Sequence, residues 1–290
     1  MRDEGVKSLC ELLRNAESYI EVEPQNTHPG DEILDQSENG TASKLYLPST
    51  DLIYIDLGEN ELTHKSARYL SKYLPSNQTL IQLNLGNVGS NQKNRIGPKG
   101  AKFMKEILMK NKFIQYLNLE GNILGDQGVY QLSKGLKFNN TLQDLNLSNN
   151  EITAYGVEFL KEVLCSDMCS CRLSVLNISI NPIGNIGVDS LTAFFKHKNN
   201  HLSALNISEC HIFGMAAIRF WDSMRCTSLV NIDASKNDFS NPQVSKSIGQ
   251  GLSSGIKILN LNGCKIGDQG GMFVADGVKK NKHVEVVYMR

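Results

Sequence analysis

One pattern recurs along most of this chain and limits what it can fold into. The segment Leu142-Gln-Asp-Leu145-Asn-Leu147-Ser-Asn-Asn150-Glu-Ile152 reads LxxLxLxxNxI. The same frame opens at Leu52, Leu80, Ile114, Leu142, Leu173, Leu202, Leu229, Ile256 and Val284, at intervals of about 28 residues. The step from Leu80 to Ile114 is longer because a polar insertion, Val88 to Arg95, precedes the return of the frame at Ile96. A fixed period of this length marks stacked supersecondary units, each too small to bury its own apolar side.

The second half of each period has helical spacing. Gly128-Val129-x-x-Leu132-x-x-x-Leu136 and Gly156-Val157-x-x-Leu160-x-x-x-Leu164 place their apolar residues on one helical stripe. Gly100, Gly187, Gly214 and Gly270 are read in the same slot. Each unit is therefore strand, turn, helix, turn. Strands stack about 4.8 Å apart and helices about 10 Å apart, so the stack must curve. The expected fold is an α/β solenoid, a curved horseshoe of about nine strands, with a parallel sheet on the concave side and helices on the convex side.

The polar residue of the frame has a structural use. Asn60, Asn122, Asn150, Asn181 and Asn237 stand where the chain leaves the strand, and a side-chain amide there can satisfy backbone groups left open by the turn. Cys210 and Cys264 occupy the same slot and read as structural. The seven cysteines, an odd number, are expected reduced. Asn-x-Ser/Thr triplets at Asn146, Asn177 and Asn206 fall inside expected strands.

The period near 28, the Leu-Asn-Leu core and the Gly-Val helix start resemble the ribonuclease-inhibitor class of leucine-rich repeats over about Asp51 to Arg290. The resemblance implies the horseshoe fold. It does not choose among the class's functions, which include ribonuclease inhibition, activation of the Ran GTPase, sensing in innate immune receptors, and ciliary and cytoskeletal scaffolding.

The ends differ from the middle. Residues 1–50 read as an N-terminal capping helix and polar loop, and residues 51–290 as the repeat domain. Asp3-Glu4-Gly5-Val6-x-x-Leu9-x-x-Leu12-Leu13 mimics the helical half of a repeat and is expected to cap the first strand. Ile20 to Ala42 reads as a long acidic loop, and Ser43 to Leu47 as a short extra strand. Val284 to Met289 reads as a final strand with an open edge. That edge is either blunted by Lys279, Lys280, Lys282 and Arg290 or covered by a partner or second copy. The repeats opening at Leu202 and Leu229 are irregular. Trp221, the single tryptophan, stands beside Asp222 where a core leucine is expected, and Asn241-Pro242 replaces the usual glycine start. Either the repeat has drifted, or Trp221 anchors a partner on the convex side.

Composition narrows the functional classes. Thirty basic and thirty acidic residues, without a Lys/Arg block, offer no electrostatic footprint for nucleic acid or an anionic membrane. No apolar run reaches the length of a membrane span, and the N-terminus lacks an apolar signal core. The expected location is the cytoplasm, with cytoskeleton or cilium as an association suggested by the family. The histidines at 28, 64, 197, 201, 211 and 283 form no HExxH pair, none accompanies a GxSxG elbow, and no GxxxxGK[ST] loop occurs. Cys165, Cys169 and Cys171, with His197 and His201 one repeat later, form the one metal-like set, at a spacing unfamiliar for zinc. No catalytic residue, cofactor or metal is expected.

A solenoid binds through its concave face by default. Alternation along the strands puts Tyr54, Asp56, Gln82, Asn84, Tyr116, Asn118, Glu120, Asp144 and Asn146 there in the N-terminal half. Ser148 closes that set, and Val175, Asn177, Ser179, Ala204, Asn206, Ser208, Asn231, Asp233, Ser235, Ile258, Asn260 and Asn262 fill the C-terminal half, which reads as small and polar with no aromatic anchor. The expected contact residues are Tyr54, Asp56, Glu59, Gln82, Tyr116, Glu120 and Asp144, with Trp221 as a separate convex anchor. Tyrosines ringed by carboxylates suit a protein partner with a basic surface. The leading expectation is a non-catalytic interaction or scaffold protein, with a subunit of a larger assembly such as a ciliary or cytoskeletal one as the form the resemblance suggests. The alternatives are a regulator of a small GTPase resembling the Ran GTPase-activating protein and an inhibitor of an enzyme such as a ribonuclease.

Overall fold

A computed structural model describes residues 1–18 and 52–290, apart from 88, 90, 91, 199, 253 and 254. The expected loop at 20–42 and strand at 43–47 lie outside the described residues. Among the described residues, nine strands of three residues each form one parallel sheet in strict chain order. They are β1 (Tyr54–Asp56), β2 (Gln82–Asn84), β3 (Tyr116–Asn118), β4 (Asp144–Asn146), β5 (Val175–Asn177), β6 (Ala204–Asn206), β7 (Asn231–Asp233), β8 (Ile258–Asn260) and β9 (Val286–Tyr288). Register is in step throughout: Tyr54 pairs with Gln82, Gln82 with Tyr116, and Tyr116 with Asp144.

Helices alternate with the strands: α1 (Asp3–Ser18), α2 (His64–Tyr73), α3 (Gly97–Lys110), α4 (Gly125–Leu136), α5 (Ala154–Leu164), α6 (Gly184–Phe195), α7 (Gly214–Ser223), α8 (Pro242–Gly251) and α9 (Asp268–Lys280). Each packs on its neighbours in the series, so the core is a single apolar seam between sheet and helix layer. The middle residue of each strand from β1 to β8, such as Leu83 and Leu145, is buried in that seam, while its neighbours face the other way.

Two rows of asparagine hold the turns. In the first, Asn150 Oδ1 accepts the N–H groups of Asn122 and Leu124, and its Nδ2 donates to the carbonyls of Leu119 and Ser148. Asn181 and Asn237 repeat the arrangement. Asn60 does not, since its amide reaches only its own turn at the Gly58 carbonyl and the N-terminal amine. Asn94, at the end of the insertion, is the row's asparagine for the second repeat, accepting from Asn60 and Leu62 and donating to Leu57 and Leu85. Asn87 ties the insertion shut across Asn94. The second row runs behind the helices. Asn111, Asn139 and Asn281 each donate to carbonyls of the preceding repeat and accept the N–H groups that lead into the next strand. These buried amides satisfy groups that water cannot reach.

Gly128 sits where a Cβ would stand 2.8 Å from Leu124 Cβ, and Gly156 where one would stand 2.5 Å from Ile152 Cγ2. The first helical turn is pressed against the residue leaving the asparagine row, so a Cβ at either position would push that side chain aside. Gly214 is different. It has φ +57° and begins α7, while Ala216 and Ala217 fill the slots held elsewhere by Gly128 and Val129. The frame of that repeat is therefore two residues later than the glycine suggests. Phe220 and Met224 take the leucine positions, and Asp222 is on the exposed side. Asn241-Pro242 is an ordinary helix start: the Asn241 side chain accepts the Gln243 N–H at 2.9 Å, and proline occupies the first turn.

The same shift corrects the expectation for Trp221. Its side chain is 0% exposed and cannot anchor a partner on the convex side. It packs edge-on against Phe220 at 5.3 Å and Phe239 at 6.1 Å. Trp221 belongs to the core at a site where α4 has the buried Ser133.

Candidate concave binding face

Two columns of side chains cover the concave face. The outer column runs Tyr54, Gln82, Tyr116, Asp144, Val175, Ala204, Asn231, Ile258 and Val286 in register. The inner column runs Asp56, Asn84, Asn118, Asn146, Asn177, Asn206, Asp233, Asn260 and Tyr288. Most inner residues serve their own chain. The Oδ1 atoms of Asn146, Asn177 and Asn206 accept the N–H groups of Ser148, Ser179 and Ser208. Each such bond closes the turn two residues on, so the asparagine column is largely structural.

A third column was expected from alternation, with Ser148, Ser179 and Ser235 facing the ligand side. The strands end before it, and these three serines are buried. The Oγ of Ser148 and of Ser235 donates back to the inner column at 2.7 Å.

The N-terminal half of the face gathers the expected contact residues. Tyr54, Gln82, Tyr116 and Asp144 are consecutive in the outer column and line one shallow recess with Asn84, Asn118 and Asn146. Tyr54 is 47% exposed and Tyr116 39%, with Gln82 between them. At about 4.8 Å per strand the two rings are set roughly 10 Å apart. The Tyr54 hydroxyl donates to Asp56 Oδ2 at 2.9 Å, and Asn84 Nδ2 donates to Asp56 Oδ1 at 2.9 Å. Burial pulls the Asp56 carboxyl upward, but the bonds from Gly58 N–H, Tyr54 and Asn84 outweigh it and hold its pKa below the ordinary value. The Asp56 bond in turn raises the Tyr54 phenol.

Asp144 is the exception in this network. It is half-buried, and desolvation raises its pKa. Among the described residues its carboxylate has no hydrogen-bond or ion-pair partner. A carboxylate half withdrawn from water beside an aromatic ring is a seat for a cation. Glu120 lies at the rim, where its carboxylate accepts from Asn146 Nδ2 at 3.2 Å. Glu59 lies three residues past β1, half-buried, with φ +56°. Both belong to the turn edge rather than to the recess.

The C-terminal half of the face also carries an aromatic side chain that pattern reading missed. Tyr288, 49% exposed, lines a second shallow recess with Val175, Ala204, Asp233, Ile258 and Asn260. Its signal was available, since β9 follows the same alternation as the other strands.

Of the metal-like set, Cys171 is buried, with its thiol pushed up to about 12, and Cys165 and Cys169 are half-buried with thiols raised by burial. His201 shares an open recess with Cys169 and Cys171. Among the described residues no group of three His, Cys, Asp or Glu side chains is placed to hold a metal ion. Among the same residues, no helix is long and apolar enough to cross a membrane.

A family model described as "Leucine Rich repeat" matches residues 110–133, 138–161 and 256–275. With nine parallel strands in sequential register, that match decides the class. The chain carries leucine-rich repeats and resembles ribonuclease-inhibitor-like proteins. This leucine-rich-repeat chain is 26% identical to "NACHT, LRR and PYD domains-containing protein 5" of Mus musculus over 92% of its own length and 22% of that protein. It is 26% identical to "NACHT, LRR and PYD domains-containing protein 14" of Homo sapiens over 72% of its length and 18% of that protein. The "Ribonuclease inhibitor" of Sus scrofa matches at 26% identity over 63% of this chain and 44% of that one. The leucine-rich-repeat chain thus spans about a fifth of the length of the first two relatives.

Proposed function

We propose that this repeat solenoid is a non-catalytic protein-binding scaffold in which the N-terminal half of the concave face holds a basic segment of a partner protein. One observation carries the reading: Asp144, half-buried and unpaired among the described residues, stands directly beside Tyr116 in the register. An Arg or Lys side chain entering between the tyrosines can pair with Asp144 while its stem lies on an aromatic face. Asp56 is already engaged by Tyr54 and Asn84, so it fixes the Tyr54 ring rather than offering a free charge.

Inhibition of a ribonuclease, as the name of the Sus scrofa relative describes for that protein, calls for a broad acidic surface against a basic enzyme. Here the acidic and aromatic residues crowd into β1–β4, and the outer column then turns to Val175 and Ala204. The face therefore fits a short basic segment better than an entire basic enzyme. Regulation of a small GTPase and membership of a ciliary or cytoskeletal assembly stay as readings of the partner's identity within the same binding mode. The cytoplasm is the compartment we assign.

The test is affinity purification of the tagged chain and of a Tyr54→Ala/Tyr116→Ala double variant from the native cell, quantified by mass spectrometry. The reading expects partners that lose tenfold or more of their recovery with the double variant. Equal recovery of every partner would overturn it.

A further inference from the structure

The convex side carries a second surface of opposite charge. The C-terminal halves of α3, α4 and α5 frame an open groove of about 470 Å³, within the roughly 300–1,000 Å³ range of ligand clefts. Its floor is apolar: Tyr130 and Phe159 pack ring to ring at 4.9 Å, with Val163 beside them. Met109 and Phe138 stand at its edges, 39% and 51% exposed. Neither is turned into the core, although each lies within a residue or two of a buried asparagine that fixes the local backbone.

The rim is basic. Lys105, Lys134 and Lys137 line the groove, and Lys112 reaches the Phe138 carbonyl at 3.2 Å. Lys134 Nζ lies 3.9 Å from the Tyr130 ring centroid. None of the four lysines is in an ion pair among the described residues, and Glu162 is the only carboxylate in the lining. Complementing the helix dipole explains Lys134 in the last turn of α4. It does not explain Met109 and Phe138 exposed within the same ring of charge.

We infer that this groove docks an acidic, apolar segment of a partner protein, its carboxylates meeting Lys105, Lys134 and Lys137 and its apolar side chains covering Tyr130, Phe138 and Met109. Charge complementarity fixes the sign of the occupant, and the apolar floor requires more than a polyanion. The concave and convex faces would then hold two segments of opposite charge at once, as a scaffold requires.

The experiment pans a phage-displayed library of random 12-residue peptides on the full chain. Enriched peptides are then synthesised and titrated against the wild type and a Lys134→Glu/Lys137→Glu variant, whose fold is checked by circular dichroism. The expected result is peptides that combine several carboxylates with two or more large apolar residues and lose at least tenfold in affinity on the variant. The Met109 methyl resonance should shift on binding while that of the buried Met104 stays in place. Basic or wholly polar peptides, affinity unchanged by the charge reversal, or an unmoved Met109 signal would overturn the inference. So would self-association of the wild type in sedimentation that the variant abolishes, which would make a second copy the occupant.

Discussion

The carboxylate of Asp3 accepts the hydroxyl of Thr63 at 2.6 Å and its backbone N–H at 2.9 Å. Asp126 does the same to Thr153, at 2.7 and 2.8 Å. In both places the threonine caps a helix of the following repeat. The N-terminal helix is thus joined to α2 by the contact that joins α4 to α5.

This contact predicts the acid sensitivity of the N-terminal end. Burial raises the Asp3 carboxyl, but hydrogen bonds from Ser66 and Thr63 prevail and its pKa is lowered. The stabilisation is present above the unfolded value near 3.8 and is lost as pH falls through the lower folded value. Asp3→Asn should cost roughly 1–2 kcal/mol at pH 7. In urea unfolding, the gap between variant and wild type should close as the solution is acidified below pH 3.8.

Trp221 gives a test of the core. Trp221→Ala should destabilise by about 3–5 kcal/mol, because the ring fills space between Phe220 and Phe239. Among the described residues its buried indole N–H has no hydrogen-bond partner, so Trp221→Phe removes an unpaired donor along with some volume. That variant should lose about 1–2 kcal/mol. Equal losses for the two variants in denaturant titration would contradict this packing.

Thiol chemistry reports the burial of the frame cysteines. Burial pushes the thiols of Cys210 and Cys171 up to about 12 and those of Cys10 and Cys264 up to about 11. At pH 8 a thiol near 12 is ionised in only about one molecule in 10⁴. An aromatic disulfide reagent should modify the exposed Cys226 first and the half-buried Cys165 and Cys169 more slowly. The other four should react only on unfolding.

Asp144 should trade stability for binding. Its folded pKa is raised by burial, so its contribution to stability is present below the unfolded pKa and lost as pH rises through the folded one. At neutral pH, Asp144→Asn should therefore melt above the wild type in a thermal scan. The same variant should bind the basic partner roughly tenfold more weakly. A lower melting point or unchanged affinity would separate Asp144 from the site.

Most of the architecture was legible because the apolar frame repeats: each of the nine openings precedes a strand. The in-step register also made the Tyr54–Gln82–Tyr116–Asp144 column readable, since alternation fixes which side chains share a face. What was not legible followed from local substitution. Gly214 imitates the helix-start glycine but sits two positions early, which concealed the burial of Trp221. The second asparagine row was missed because Asn111, Asn139 and Asn281 lie outside the strand motif, three residues before Ile114, Leu142 and Val284. Burial of Ser148 and its counterparts depends on strands ending after three residues, which alternation alone cannot foretell.

In the proposed complex a basic segment lies between the two tyrosines of the concave face. The most direct measurement places a photo-crosslinking amino acid at Gln82 in the tagged chain, with a second chain labelled at the exposed convex-side Tyr155. Irradiation in the native cell should join position 82 to an Arg- or Lys-rich segment of a partner, identified by mass spectrometry, with no such product from position 155. Crosslinks to that segment from position 155 and none from position 82 would contradict the account.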